Sequence, residues 1–379
     1  VQRLFFGYGS AGELKGILRE HRPKKILLIT GKRSYEACGA RDVMDSLLKG
    51  YDYFRFSDIS SNPGLEDVER ALVAFRTERP DFVIAVGGGS VLDVAKAANA
   101  LSANTGSPSG YVKKEKVLAK KGASLVAMPT TSGTGSESTQ FAVVYIGKRK
   151  YSLDHGKFIL PDYAIVDPCF TMSLPPDITA ETGMDALAQA VESYWSTGST
   201  ASSKKYAKIS IKMITRNFEN SVNRPDRKSR AAMAKASNLA GRAINITRTT
   251  ACHSISYPIT SYFGAPHGQA VGITLPSMMV YNSHVSDADV ADKRGPGYVK
   301  KTMMELVKLL GEKNPEGAGA KMESMMRNTG LKTRLSELGV KKDSDIELIV
   351  KNGFSPERMK NNPRRLTEDS LREMLEGIR

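Results

Sequence analysis

A chain of 379 residues with 40% hydrophobic content exceeds the size at which one core usually stops growing, so two domains are expected. Its 55 Lys and Arg against 40 Asp and Glu give a net charge of +15; the cations are scattered through helix-like segments and interleave with no zinc-finger or aromatic RNA-binding pattern, which argues against nucleic acid and for a basic surface. Cys38, Cys169 and Cys252 are too few and dispersed for a disulfide framework; with no apolar run of about 18 residues and no signal-peptide core, a cytoplasmic protein without a membrane partner is expected.

The first half alternates short apolar runs with helical patterns. KKILLIT (24–30) reads as a buried strand, ACGARDVMDSLLKG as a helix, YDYFRF as a strand and GLEDVERALVAFRTE as an amphipathic helix. PDFVIAVGGGSVLDVAKAANAL then gives strand, glycine turn and a helix beginning near Val91, and SLVAMPTT and YAIVDP add two more strands. Strands alternating with helices imply a mostly parallel sheet covered on both faces. Beyond LPP (174–176) strand candidates almost vanish, and Ala, Met, Lys and Glu-rich helical patterns run to Arg379. The expected organisation is an α/β dinucleotide-binding domain over 1–174, a Rossmann-like variant, and an all-helical metal and substrate domain over 175–379. The KKEKVLAKK run (113–121) reads as a solvated segment.

Two turns suggest a ligand. GGGS, containing Gly88, Gly89 and Ser90, lies between a strand and a helix, where glycines permit close backbone approach and helix N-terminal amides favour phosphate. PTTSGTGSE (129–137) also follows a strand and adds the hydroxyls of Thr130, Thr131 and Ser132. Two such turns at the C-terminal ends of parallel strands are where open α/β sheets bind ligands, which makes a dinucleotide the leading candidate. Neither G-x-G-x-x-G nor a P-loop is present, so the fold is a variant.

In TGMDALAQAVESYW (182–195) Asp185 and Gln189 stand one helical turn apart and face the same way. That spacing suits a metal ion, although Gln is a weaker ligand than His. Five histidines exist, and His253 and His267 are separated by about one helix and a turn. Taken alone, two ordinary helix-terminal histidines explain this as well as a metal pair does; His21, His155 and His284 read as surface or turn residues.

The order of NPGLEDV (62–68), GGGSVLDVAKA (87–97), PTTSGTGSE, LPDYAIVDP (160–168), TGMDALAQAVESY and the pair His253 and His267-Gly268 resembles the iron-containing (group III) alcohol dehydrogenase family over nearly the whole length. The resemblance implies a dehydroquinate synthase-like two-domain plan and a metal-dependent transfer of hydride between a nicotinamide cofactor and a small aldehyde or alcohol. It places the metal, Fe2+ or Zn2+, on Asp185, position 189, His253 and His267, with His267 also in a catalytic role. Position 189 is usually histidine in the family, and Gln189 weakens the set. Where the family often has a second histidine four residues after the first ligand, this chain has Tyr257, a candidate proton relay.

By the same resemblance Asn62, Gly88, Gly89, Ser90, Asp93, Thr130, Thr131, Ser132 and Lys150 fall on the cofactor-binding positions. The family strand that ends in an Asp for the adenosine ribose here reads LLITGKRSY: Gly31 replaces the acid, and Lys32 and Arg33 follow, which favours NADP(H) over NAD(H). ESYWS, KKYA, SYP and PHG further resemble the branch that includes phosphonoacetaldehyde reductases, whose substrate is an anionic aldehyde. Two alternatives share this plan, a cyclase or lyase of the dehydroquinate synthase type using bound NAD and a metal-free reductase. Apolar helix faces near the termini are compatible with a homodimer as well as with core packing.

Overall fold

The computed structural model describes residues 2–379, and the chain divides into two compact units, Val1–Leu174 and Pro175–Arg379. In the first unit the strands are β1 (Arg3–Phe6), β2 (Ile26–Thr30), β3 (Tyr53–Phe56), β4 (Phe82–Gly87), β5 (Ser124–Pro129), β6 (Phe141–Ile146), β7 (Arg149–Asp154) and β8 (Tyr163–Val166). Six form one sheet in the order β1-β8-β5-β4-β2-β3, and every pairing in it is parallel. Leu27 and Ile29 of β2 join Val83 and Ala85 of β4 in the core on one face, whereas Ile26, Leu28, Phe82, Ile84 and Val86 pack on the other. This period-two split buries both faces, as a parallel sheet requires.

Topology and register bring the turns together. The chain steps from β2 to β3 in one direction and from β4 to β5 and β8 in the other, so the direction of winding reverses between β2 and β4. Thr30 pairs with Val86, and Gly87 with Pro129. The turns beginning at Gly31, Gly88 and Thr130 therefore leave the sheet at one level around the reversal, the place where open α/β sheets hold ligands.

Several sequence expectations change in detail. The helix after β4 starts at Gly89 instead of near Val91, so Ser90 lies in its first turn. The ACGARDVMDSLLKG helix is interrupted: Ser34–Ala37 and Ala40–Leu47 flank Gly39, whose φ of 73° lies in the left-handed region. RLFF forms the edge strand β1, and β6 and β7 form a separate antiparallel hairpin. Both escaped the periodicity reading: β1 is only four residues long and β7 (RKYSLD) mixes charged with apolar side chains, whereas β6 (FAVVYI) carries an apolar run that the pattern could have found.

The second unit is helical, with no strand among its described residues. Its central helix, Pro176–Trp195, is buried at every position from Gly183 to Trp195. Around it pack Ala201–Asn223, Arg227–Thr247, His267–Gly272 and Pro296–Leu310. Capping fixes where neighbouring helices begin: Thr200 accepts a hydrogen bond from the Ser203 amide, and Asp226 one from the Ser229 amide. No helix among the described residues is long and apolar enough to cross a membrane.

Candidate cofactor turns and metal centre

The glycine turn of the first unit is shaped by what lies against it. A Cβ added at Gly88 would stand 3.3 Å from Thr131 Cγ2, and one at Gly89 would stand 2.6 Å from Thr134 Cγ2. The Thr130 amide donates to the Gly87 carbonyl at 3.0 Å. Glycine thus lets two turns lie on one another, leaving backbone amides at the start of the Gly89–Ser102 helix. Thr130 and Ser132 are buried beside it.

Asp93 faces its own protein. Its carboxylate accepts from Ser136 Oγ at 2.5 Å and the Val143 amide at 2.9 Å, and pairs with buried Lys96 at 2.9 Å. Lys96 also donates to the carbonyls of Ser136 and Phe141. This acid therefore braces the second turn from behind. Asn62 adopts a left-handed φ of 55°, which Asn tolerates better than most side chains. Beside it, the Tyr145 amide donates to the Pro63 carbonyl, and Tyr145 pairs with Lys150 across the β6–β7 hairpin. Asn62 and Lys150 are thereby tied to one neighbourhood.

The basic turn after β2 contains a cation that the sequence reading missed. Arg55, from β3, donates to Thr30 Oγ1 at 2.9 Å and to the Gly31 carbonyl at 3.2 Å, with its guanidinium 4.5 Å from the Tyr35 ring centroid. Lys32 pairs with Asp58 at 2.6 Å, and Asp58 pairs with Arg70 at 2.8 Å. Arg33 is exposed and makes no ion pair among the described residues. Nothing local in YFRF signals that Arg55 would reach across to the adjacent strand's turn.

In the second unit, Asp185 and Gln189 lie on the central helix, His253 on Ala251–Phe263, and His267 opens His267–Gly272. Gly268 sets the approach of the last helix: a Cβ there would be 1.9 Å from the Glu181 carbonyl oxygen and 3.2 Å from Asp185 Cβ. Ligand atoms of Asp185, His253 and His267 all lie within 4.8 Å of one another. The imidazole rings meet edge to face, with centroids 5.5 Å apart, and Ser256 Oγ is 3.4 Å from His267 Nδ1.

Gln189 Nε2 donates to Asp185 Oδ2 at 2.9 Å. Gln189 Oε1 is itself buried and has no hydrogen-bond partner among the described residues. His253 Nε2 approaches Asp185 Oδ1 to 3.4 Å. An unsatisfied buried acceptor costs about 1–3 kcal/mol, so the partnerless Gln189 Oε1, one turn from Asp185 on the helix that brings that acid to His253 and His267, belongs to a donor set that fits a divalent cation. Burial opposes charge on His253, but Glu192 and Asp185 outweigh it and push the imidazole pKa up to about 9. Burial also opposes ionised Asp185, yet His253 and His267 hold its carboxyl below the usual range.

Two of the other three histidines have partners elsewhere, and His284 is exposed. His21 contacts the Tyr163 hydroxyl at 2.8 Å, and the His155 ring stacks on Phe158 with centroids 4.1 Å apart. Tyr257, one turn beyond His253, accepts a hydrogen bond from Arg358 Nε at 3.3 Å. Neither Arg358 nor Glu192, which contacts His253 Nδ1, was singled out from sequence. Glu192 had a legible signal, since positions 185, 189 and 192 share one helix face.

An open parallel sheet with turns clustered at its winding reversal, and a helical unit that gathers Asp185, Gln189, His253 and His267, are the features of a two-unit enzyme class built to bind a dinucleotide and a metal ion. Residues 2–168 match the iron-containing alcohol dehydrogenase family, and residues 179–378 match the C-terminal region of the Fe-containing alcohol dehydrogenase family. The chain is 37% identical over 280 residues to long-chain-alcohol dehydrogenase 1 of Geobacillus thermodenitrificans, covering 73% of this chain and 70% of that one. It is 34% identical to phosphonoacetaldehyde reductase of Streptomyces viridochromogenes, covering 84% and 81%. The crystal structure of sulfoacetaldehyde reductase from Bifidobacterium kashiwanohense in complex with NAD+ is similar at a TM-score of 0.89 and 30% identity, covering 100% of this chain and 96% of that one. The chain belongs to the iron-containing alcohol dehydrogenase family.

Proposed function

We propose that this alcohol dehydrogenase reduces a small aldehyde bearing an anionic group, uses NADPH, and depends on a divalent metal held by Asp185, Gln189, His253 and His267. The observation that carries the metal reading is that ligand atoms of Asp185, His253 and His267 lie within 4.8 Å of one another, with Gln189 hydrogen-bonded to that carboxylate and its own buried Oε1 without a partner. Gln189 is suited to this because its amide N–H is already taken by Asp185, leaving the oxygen as the free end. A divalent ion there supplies Lewis-acid polarisation of a carbonyl oxygen. The nicotinamide supplies the hydride.

The remaining work falls to the chain's own groups. Backbone amides at Gly88, Gly89 and Ser90 receive the pyrophosphate, with Thr130, Thr131 and Ser132 flanking it and Asp93 bracing the second turn. Gly31 leaves no carboxylate to repel a 2′-phosphate, and Lys32, Arg33 and Arg55 surround that turn with positive charge. Asn62 and Lys150 approach the cofactor from the hairpin side. Tyr257 offers a hydroxyl one turn from His253 for handing a proton to the product oxygen. Arg358, on that hydroxyl, gives the anionic end of a substrate a cationic partner. Two relatives, a phosphonoacetaldehyde and a sulfoacetaldehyde reductase, carry substrate names of this chemistry. Membership of the dehydrogenase family sets aside the cyclase alternative.

The test is oxidation of NADPH and NADH, with phosphonoacetaldehyde and with an uncharged aldehyde of similar size, by chelator-stripped protein titrated with Fe2+ or Zn2+. Activity restored by metal, greater with NADPH and with the anionic aldehyde, is expected. Full activity in chelator would establish the metal-free alternative, and equal rates with the two aldehydes would remove the anionic substrate class.

A further inference from the structure

Glu192 is the most enclosed acid near the cluster, with 0% exposure, and it is not among the expected ligands. Burying a carboxylate is costly unless its lone pairs are met. Here Oε1 accepts from Thr250 Oγ1 at 2.7 Å, the Cys252 amide at 2.9 Å and the His253 amide at 3.3 Å. Oε2 contacts His253 Nδ1. Thr250 Oγ1 is held in turn by Trp195 Nε1 at 2.9 Å.

We propose that Glu192 is the positioning residue of the metal centre, holding His253 with a proton on Nδ1 so that Nε2, on the side of Asp185, is the nitrogen left for the ion. The argument rests on the metal-site reading above and on donor and acceptor inventory. A carboxylate can only accept, and Oε1 is already engaged by three donors, so the contact at Oε2 requires a proton on Nδ1. The other ring nitrogen, 3.4 Å from Asp185 Oδ1, is then the one that shares a second proton with that carboxylate in metal-free protein and offers its lone pair to an ion once that proton leaves. A carboxylate behind a ligating imidazole also raises its basicity. That contribution matters more in this chain, because Gln189 is neutral and Asp185 is the only anion in the expected ligand set. The central helix therefore delivers three functions from one face: Asp185 and Gln189 to the ion, and Glu192 to the imidazole that completes the set.

Glu192→Gln tests this with little change in volume. The amide has one accepting oxygen, so it cannot satisfy both the Thr250, Cys252 and His253 donors and Nδ1–H; if its NH2 faces the ring, the proton moves to Nε2 and the lone pair is lost to the metal. The expected result is a Zn2+ dissociation constant, measured by competition with a chelating dye, raised by about 10–100-fold with the far-UV circular dichroism unchanged. Wild-type affinity in folded Glu192→Gln would overturn the proposal. A second measurement needs no variant: in 113Cd-loaded, 15N-histidine-labelled wild-type protein, coupling to Nε2 of His253 with a proton on Nδ1 is expected. Coupling to Nδ1 would overturn the proposal even if the variant fails to fold. Wild-type protein that binds neither Zn2+ nor Cd2+ would overturn the metal-site reading itself, and this inference with it.

Discussion

The two candidate sites are built from different materials. In Val1–Leu174 the elements are backbone amides and small turns: three loops leave a parallel sheet at one level, and their glycines matter for what they lack. In Pro175–Arg379 the elements are long side chains on rigid helices, two from one helix and one each from two others. A backbone cradle depends on register and on the absence of Cβ atoms. A side-chain cluster depends on rotamers locked by packing and by hydrogen bonds from behind. The first should therefore be damaged by added volume, and the second by removal of a single functional group.

The largest break in that contrast is expected from His267→Ala. It deletes one of two imidazoles from the helical cluster, and turnover should fall by about 100-fold or more, beyond the 10–100-fold range that replacing a group behind a ligand produces. The circular dichroism spectrum should be retained, and unchanged steady-state NADPH oxidation would contradict the metal assignment.

A smaller effect sharpens the comparison by adding the same methyl group to each unit. Gly268→Ala meets a backbone oxygen at 1.9 Å, which cannot rotate away, so overpacking should cost about 1–3 kcal/mol and lower the melting temperature. Gly88→Ala meets only the Thr131 methyl at 3.3 Å. It should leave the melting temperature nearly unchanged while raising KM for the nicotinamide cofactor. A stability loss at Gly88 equal to that at Gly268 would mean that both glycines serve packing.

The smallest effect is pH dependence in metal-stripped protein. The folded His253 pKa, near 9, lies above its ordinary value of 6.5, so the stabilisation linked to its proton is fully present below pH 6.5 and is lost as pH rises through about 9. Urea midpoints should fall across that window in stripped protein. A flatter profile is expected with metal bound, since the metal takes the lone pair for which the proton competes. A midpoint that rises from pH 6.5 to 9 in stripped protein would show that His253 is not held as a cation by Glu192 and Asp185.

How much of this was legible depends on how far each signal reaches along the chain. The buried strands β2, β4, β5 and β8 announced themselves through apolar runs, because a strand covered on both faces needs little else. The glycine turn was visible for the same local reason. Edge strand β1 was not, since a short, half-solvated strand is stabilised by a partner distant in sequence, here β8; the β6–β7 hairpin pairs neighbouring segments, and only the charged β7 hid it. The helix stripe of Asp185, Gln189 and Glu192 was within reach of the 3.6-residue period, but only its first two members were read. Arg55 and Arg358 carried no local mark: each matters through a residue on another element, Thr30 in one case and Tyr257 in the other.

Sequence by itself determined the alternation of strands and helices, the glycine and hydroxyl turns, the family, and the substitution of Gln for His at position 189, because each is a matter of residue type and short-range period. Tertiary structure alone decided that Asp185 would meet two imidazoles, that Asp93 would brace a turn, and that Glu192 would lie behind His253. Those outcomes depend on how hydrogen bonds are shared among groups up to 61 residues apart, and a donor's choice of acceptor is settled only when packing has excluded the others.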